Sequence, residues 1–214
     1  MSPARYVLLG AGGLAREAAE AVRAAGGSVA GLLDDDPAKH GTSVAGLPVL
    51  GGTAEVKDLD PGSRPVATVA GSADPGRRLR LVERLGLPAD AWGTVVHPAA
   101  SLAASTRIGH GAVVLAGVVA TADVDLGDHV VLMPGCVLTH DDVLGAGCTL
   151  AAGVLLAGGV TVGAGAYLGS GAKVREGVLI GAGAVVGMGA VVLRDVPPGE
   201  TWAGVPARRL HPDT

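Results

Sequence analysis

Residues 144–192 read, six at a time, LGAGCT LAAGVL LAGGVT VGAGAY LGSGAK VREGVL IGAGAV VGMGAV V. An aliphatic residue opens every hexad, and a small or β-branched residue stands four places later. The same phase runs outward from Val96 to Val196. Sixteen of its seventeen opening positions are Leu, Ile or Val, with Ala120 the exception, and sixteen of the seventeen fifth positions are uncharged, with Asp142 the exception. An α-helix repeats at 3.6 residues and a half-buried strand at 2, so neither produces a period of six. A parallel β-helix does, because each short strand stacks on its equivalent one turn away. Three six-residue sides close a triangular turn of 18 residues. Seventeen hexads then make nearly six turns, and with strands about 4.8 Å apart the prism stands about 27 Å tall. Glycine directly follows the opening aliphatic at Gly109, Gly127, Gly145, Gly163, Gly169, Gly181 and Gly187. These positions are expected to be tight corners that need a residue without a Cβ.

The composition fits such a fold. The chain of 214 residues is 49% hydrophobic and 17% charged, which excludes a disordered chain. It has no Phe and 36 Gly, so aliphatic residues must do the packing. The formal net charge is −4, and no cluster of Lys and Arg interleaved with aromatics exists, which sets nucleic acid aside as a partner. No stretch of 18 apolar residues runs without Gly or charge, and the N-terminus has no long apolar leader region, so no membrane span is expected and the chain reads as cytoplasmic. Cys136 and Cys148 suit a reducing compartment and read as core filler at two inward positions.

Residues 1–95 obey different rules. Tyr6 to Leu9 is a buried-strand run, Gly10 to Gly13 a turn, and Leu14 to Ala25 a helix closed by Gly26-Gly27. Val29 to Leu33 reads as a second strand ending in Asp34-Asp35-Asp36. Val66 to Ala70 reads as a third, ending in Gly71-Ser72, and Arg77 to Leu85 as a helix. Strands alternating with helices imply a small Rossmann-like α/β domain over 1–95, with ligands in the crevice at the strands' carboxyl ends. Trp92 to Pro98 is read as the linker to a β-helix domain over 96–214. The turn Gly10-x-Gly12-x-x-Ala15 can present backbone N–H groups to a phosphate, and Asp34 or Asp35 can take ribose hydroxyls or a base edge. A unit of about ninety residues is too small for a dinucleotide oxidoreductase with its own catalytic domain.

A second constellation lies in the hexad Leu138-Thr139-His140-Asp141-Asp142-Val143. Its fifth residue breaks the packing rule, and rule-breaking positions point to function. One turn away on either side of His140 stand Ala122 and Gly158, which leaves space above and below the imidazole. A neutral imidazole can take a proton near pH 7, and the adjacent Asp141 can orient it. The other histidines, His97, His110, His129 and His211, fall at gaps that give no close pair, and His40 lies in the first domain, so a zinc site is not expected.

At this point the chain resembles the bacterial hexapeptide-repeat acetyltransferases of the sialic acid O-acetyltransferase and nucleotide-linked aminosugar N-acetyltransferase group. The resemblance rests on LLGAGGLAREAAE, LLDDD, VVHPAASL, LTHDDVLGAG and DVPPGETWAGVPARRL and covers nearly the whole chain. It implies a left-handed parallel β-helix, a homotrimer, and acetyl-CoA as cosubstrate in a groove between adjacent prisms, with no metal. It implies His140 as general base and Asp141 as the carboxylate that raises its basicity. Contacts to a nucleotide-linked sugar are implied at Gly12, Gly13, Leu14, Asp34, Asp35 and Gly71, and coenzyme A contacts at Thr149, Ser170 and Met188. Two positions depart from the family pattern. Thr149 replaces a frequent His nine residues after the base, and Leu14 replaces a frequent His in the glycine turn. The function expected is N-acetylation of a nucleotide-linked aminosugar by direct transfer. Alternatives are O-acetylation of a sialic-acid-like sugar, or a scaffold that binds the sugar nucleotide without catalysis.

Overall fold

A computed structural model describes residues 4–60 and 62–210. The N-terminal unit is a five-stranded sheet in the order β3-β4-β2-β1-β5, built from β1 (Arg5–Leu9), β2 (Ser28–Leu33), β3 (Ser43–Val44), β4 (Leu47–Gly51) and β5 (Ser63–Ala67). All pairings are parallel except β3 with β4. Helix α1 (Gly13–Ala24) buries Leu14, Ala15, Ala18, Ala19, Ala21 and Val22, one stripe of its surface, against one face of the sheet. Helix α2 (Arg77–Leu85) places Leu81 and Leu85 on the other face, beside Val7, Leu9, Leu33 and Trp92. It ends at Gly86 in the left-handed conformation that closes helices at low cost.

The third strand of the sequence reading begins and ends three residues early. Pro65 reads as a breaker, yet β5 is an edge strand, where a missing N–H is tolerated. The β3–β4 hairpin was not anticipated. Its two-residue turn, Ala45-Gly46, takes φ of 50° and 75°, the mirror-image geometry that tight hairpins favour. The expected linker is structured as well. Trp92 is buried, and Val95–Val96 pairs with Val113–Val114 as the first strand of the prism.

From Val95 the chain winds as a left-handed parallel β-helix with three faces. One face has eight strands, from Val95–Val96 to Arg208–Arg209. A second has six, from Ser101–Leu102 to Val191–Val192, and the third has five, from Arg107–Ile108 to Leu179–Ile180. As far as Val191–Val192 successive strands on a face are offset by 18 residues, as in Leu138 opposite Leu156 and Leu150 opposite Leu168, whereas Thr201 lies opposite Val185 and Arg208–Arg209 turns back antiparallel on Thr201–Ala203. The opening residues of the hexads from Val114 to Val192 and the fifth residues from Ala112 to Val196 are buried and fill the prism. Truncating one of these leucines to Ala typically costs about 2–5 kcal/mol. The eight-stranded face turns Val113 and Val131 outward against α1, so the N-terminal unit caps that face.

The corners differ from the expectation in one respect. The glycines after the opening aliphatic have ordinary backbone angles, and what excludes a side chain there is the next coil: a Cβ on Gly145 or Gly169 would lie 2.6 Å from the backbone nitrogen of Ala164 or Met188. From Gly111 to Gly189 the left-handed residue of each corner comes two places later. Glycine fills it at Gly111, Gly117, Gly135 and eight further corners, and Asp123, His129 and Asp141 fill it at the remaining three, with φ of 52°, 58° and 62°.

Candidate active site

His140 ends Val137–His140, one of two four-residue strands on the six-stranded face, and is paired at its tip with Ala122, the last residue of the other, Val119–Ala122. Its Nδ1 lies 2.8 Å from Asp141 Oδ2, and both side chains are about two-thirds exposed, at 67% each. With Asp141 accepting the Nδ1 proton, Nε2 is left as the lone-pair atom. The ring folds down over Gly158, where any Cβ would collide with Nε2. Gly158 is therefore the floor of the base. Asp141 reaches the ring because it sits in the left-handed corner position, which turns its side chain back along the strand.

Asp142 is wholly buried in the prism. Its Oδ2 accepts from Thr139 N–H at 2.9 Å and its Oδ1 from Val160 N–H at 2.8 Å. Burial pushes its carboxyl up to about 6 against the lowering effect of these two bonds.

Ser170 and Met188 stack one turn apart at an exposed corner, with Gly189 N–H bonded to Ser170 O at 2.8 Å and Met188 81% exposed. They stand where the eight-stranded face turns into the six-stranded one. His140 stands at the opposite edge of that six-stranded face. One chain thus does not bring them together. Thr149, expected beside the coenzyme, is buried under α2 instead, and its Oγ1 accepts from Arg78 Nη2 at 2.9 Å. The reason is the N-terminal unit, which covers the outward positions of the eight-stranded face from Val95 to Thr149.

In the N-terminal unit the carboxyl ends of the strands open onto a cleft of about 270 Å³. Gly10, Asp34 and Asp35 line one side and Arg77, Arg80 and Arg84 the other. Asp34 accepts from Ala11 N–H at 2.7 Å, from Asp36 N–H and from Lys39 Nζ at 3.0 Å. Asp35 accepts from Thr53 N–H at 2.8 Å and Oγ1 at 2.6 Å and from Arg84 at 2.6 Å. Partial burial acts to raise both carboxyls, but these hydrogen bonds and cations outweigh it and hold both below the usual carboxylate range. Both remain anionic acceptors. Arg80 pairs with Asp74 and Arg84 with Asp35, whereas Arg77 has no acceptor among the described residues.

The glycine turn is held by its neighbours: Gly10, at φ 112°, donates to Leu33 O at 2.7 Å. Gly12 and Gly13 are exposed with open space where a Cβ would stand, and no side chain caps the first turn of α1. Gly71 is half-buried and lies outside the cleft lining. Leu14 is buried in the α1 core, so only its backbone N–H is available to a ligand. Among the described residues no group of three His, Cys, Asp or Glu side chains could hold a metal ion, and no helix is long and apolar enough to cross a membrane. His211 lies outside the described residues.

The residue that sequence reasoning missed is Arg78. Buried to 2% exposure, it leaves α2 and donates to Val69 O, to His129, Gly147 and Cys148 carbonyls and to Thr149 Oγ1, at 2.9–3.3 Å. Among the described residues no carboxylate pairs with it, and burial lowers it to about 10. The arginines facing the cleft were missed too, although their spacing at 77, 80 and 84 marks one helix face.

Comparison with known proteins agrees with this fold. A family model described as bacterial transferase hexapeptide (six repeats) matches residues 159–194, and one described as the PglD N-terminal domain matches residues 5–85. PerB from Caulobacter crescentus, solved with CoA and GDP-perosamine, is 38% identical over 96% of this chain and 97% of its own, with a TM-score of 0.86. The acetyltransferase domain of PglB from Neisseria gonorrhoeae, solved with acetyl coenzyme A, is 31% identical over 98% of this chain and 100% of its own, with a TM-score of 0.85. WeeI from Acinetobacter baumannii, 23% identical over 96% of this chain and 99% of its own with a TM-score of 0.66, shares the fold. No curated protein matches the chain.

Proposed function

The chain belongs to the bacterial hexapeptide-repeat acetyltransferases of the sialic acid O-acetyltransferase and nucleotide-linked aminosugar N-acetyltransferase family, and on that premise we propose that it moves an acetyl group from acetyl-CoA to the amine of a nucleotide-linked aminosugar. The observation that carries the chemistry is the His140–Asp141 pair, with Nδ1 tied at 2.8 Å and Nε2 left over Gly158. In this reading the sugar amine attacks the thioester carbonyl while Nε2 removes its proton. Asp141 keeps the Nδ1 proton in place and stabilises the imidazolium. When the carbon–sulfur bond breaks, the imidazolium returns its proton to the departing thiolate, so an amide and a free thiol result and the histidine is reset. No covalent enzyme intermediate is needed.

The nucleotide occupies the cleft of the N-terminal unit. Asp35 accepts N–H or O–H groups of base or ribose and Arg77 meets the diphosphate, and the uncapped first turn at Gly12, Gly13 and Leu14, next along the chain from Gly10 and outside the cleft lining, adds backbone N–H groups. Ser170 and Met188 contact coenzyme A. Because they stand at the far edge of the face that carries His140, a groove holding both takes two chains, and a ring of three prisms makes three such grooves. Unpaired Cys136 and Cys148 suit a cytoplasmic setting.

The test is thiol release from acetyl-CoA in the presence of nucleotide-linked aminosugars. His140→Ala is expected to lower kcat by about 10²–10⁴ while acetyl-CoA affinity holds. Unchanged turnover in that variant would remove His140 from the reaction.

A further inference from the structure

Asp142 is a charged side chain at an inward position that Val124 and Val160 occupy one turn to either side. A carboxylate in an aliphatic prism needs compensation, and it finds two backbone N–H groups. Their places are informative. Thr139 directly precedes His140. Val160 directly follows Gly158 and Gly159, and the imidazole ring lies on Gly158. In neighbouring coils the N–H equivalent to Val160 bonds loosely to the carbonyl three residues back: Cys148 to Gly145 at 3.3 Å, Val154 to Ala151 at 3.3 Å, Val178 to Arg175 at 3.4 Å. At Val160 that bond gives way to the 2.8 Å bond that its N–H donates to Asp142 Oδ1. One carboxylate therefore ties the strand that carries the base to the coil that forms its floor.

The corner it ties is also the one that needs holding. The strand runs on to His140, and the next residue, Asp141, is a non-glycine in the left-handed region at φ 62°. A corner free to relax would swing Asp141 away from Nδ1. We propose that Asp142 is a positioning residue for acetyl transfer, a buried clamp that fixes the Thr139–Asp141 corner over Gly158 and thereby keeps the His140 ring in the tautomer and direction that leave Nε2 free. This role rests on the reaction assigned above.

Asp142→Val restores the regular repeat, and the Val160 N–H can then take the loose bond of other coils. The variant is expected to keep its thermal midpoint while kcat falls roughly 10²-fold and the KM for acetyl-CoA stays within about twofold, the mark of lost alignment and not lost binding. The 15N signals of the His140 ring are expected to move toward mixed tautomers. Asp142→Asn, which keeps one acceptor, is expected to recover part of kcat. A kcat within about threefold of the parent, or lost turnover with unmoved ring signals, overturns the proposal. Should Asp142→Val not fold, Asp142→Asn decides it by the same two readouts. A parent protein inactive on every nucleotide-linked aminosugar would overturn the reaction itself, whereas an active parent with an indifferent Asp142→Val overturns only the clamp.

Discussion

Replacing Arg78 by Met tests what joins the two units. The guanidinium is 2% exposed and has no carboxylate partner among the described residues, so its burial is costly: lowering its pKa from 12.5 to about 10 corresponds to roughly 3 kcal/mol. Against this stand bonds to Val69 O, Thr149 Oγ1 and the three carbonyls that share Nη1. Counted as four bonds from a charged donor at about 1.5–2 kcal/mol each, they contribute about 6–8 kcal/mol. The difference is about 3–5 kcal/mol in favour of the native residue. Arg78→Met fills most of the volume but leaves the acceptors buried and unmet, so it should lose about that much in urea unfolding. Arg78→Lys reaches fewer acceptors and should fall between. Unfolding of Arg78→Met within about 1 kcal/mol of the parent would refute the reasoning, and would mean that the apolar contacts of α1 with Val113 and Val131 hold the units together unaided.

Gly158→Val should leave the prism intact and cut kcat by roughly 10²-fold, because the added side chain takes the place of the imidazole; steady-state rates beside a melting curve decide it. Asp141→Gly should raise unfolding free energy by about 1 kcal/mol by relieving the left-handed residue, while turnover falls because Nδ1 loses its acceptor; an unstabilised or fully active variant contradicts this. His129 and Asp142 should give opposite pH dependences of stability. Burial lowers His129 from 6.5 to about 4, so the unfolded chain takes up that proton first and stability drains away between those values by about 3 kcal/mol. Asp142 is raised from 3.8 to about 6, so the folded chain takes up its proton first, and stability is gained by about 3 kcal/mol as pH falls from 6 to 3.8. The advantage of His129→Asn over the parent should therefore grow on acidification, and that of Asp142→Asn should shrink. Parallel unfolding curves at pH 7 and 4.5 would exclude both.

The prism was legible because its burial rule is local: every sixth residue must be aliphatic, and the chain states this over a hundred residues. The His140 hexad was legible for the complementary reason, as the place where Asp142 breaks the rule. What Asp142 does there was not legible, since Thr139 N–H and Val160 N–H belong to different coils. Two glycine series run through the repeats, and only dihedral angles separate the one pressed by the next coil from the one in the left-handed corner. Arg78 stayed hidden because RRLRLVERL reads as a helix with a cationic surface, and four of the five acceptors that hold its second arginine lie 51–71 residues away. Thr149 misled for the same reason, since nothing near it in the sequence tells which face of the prism another unit will cover.

The eighteen-residue register makes the β-helix a ruler. Inserting one complete turn between Thr161 and Gly169 moves the Ser170–Met188 corner about 4.8 Å farther from His140 along the axis and keeps each residue on its own face. Evolution can therefore lengthen the span by whole rungs, and match it to the reach of a different acyl carrier, without altering a side chain at either end.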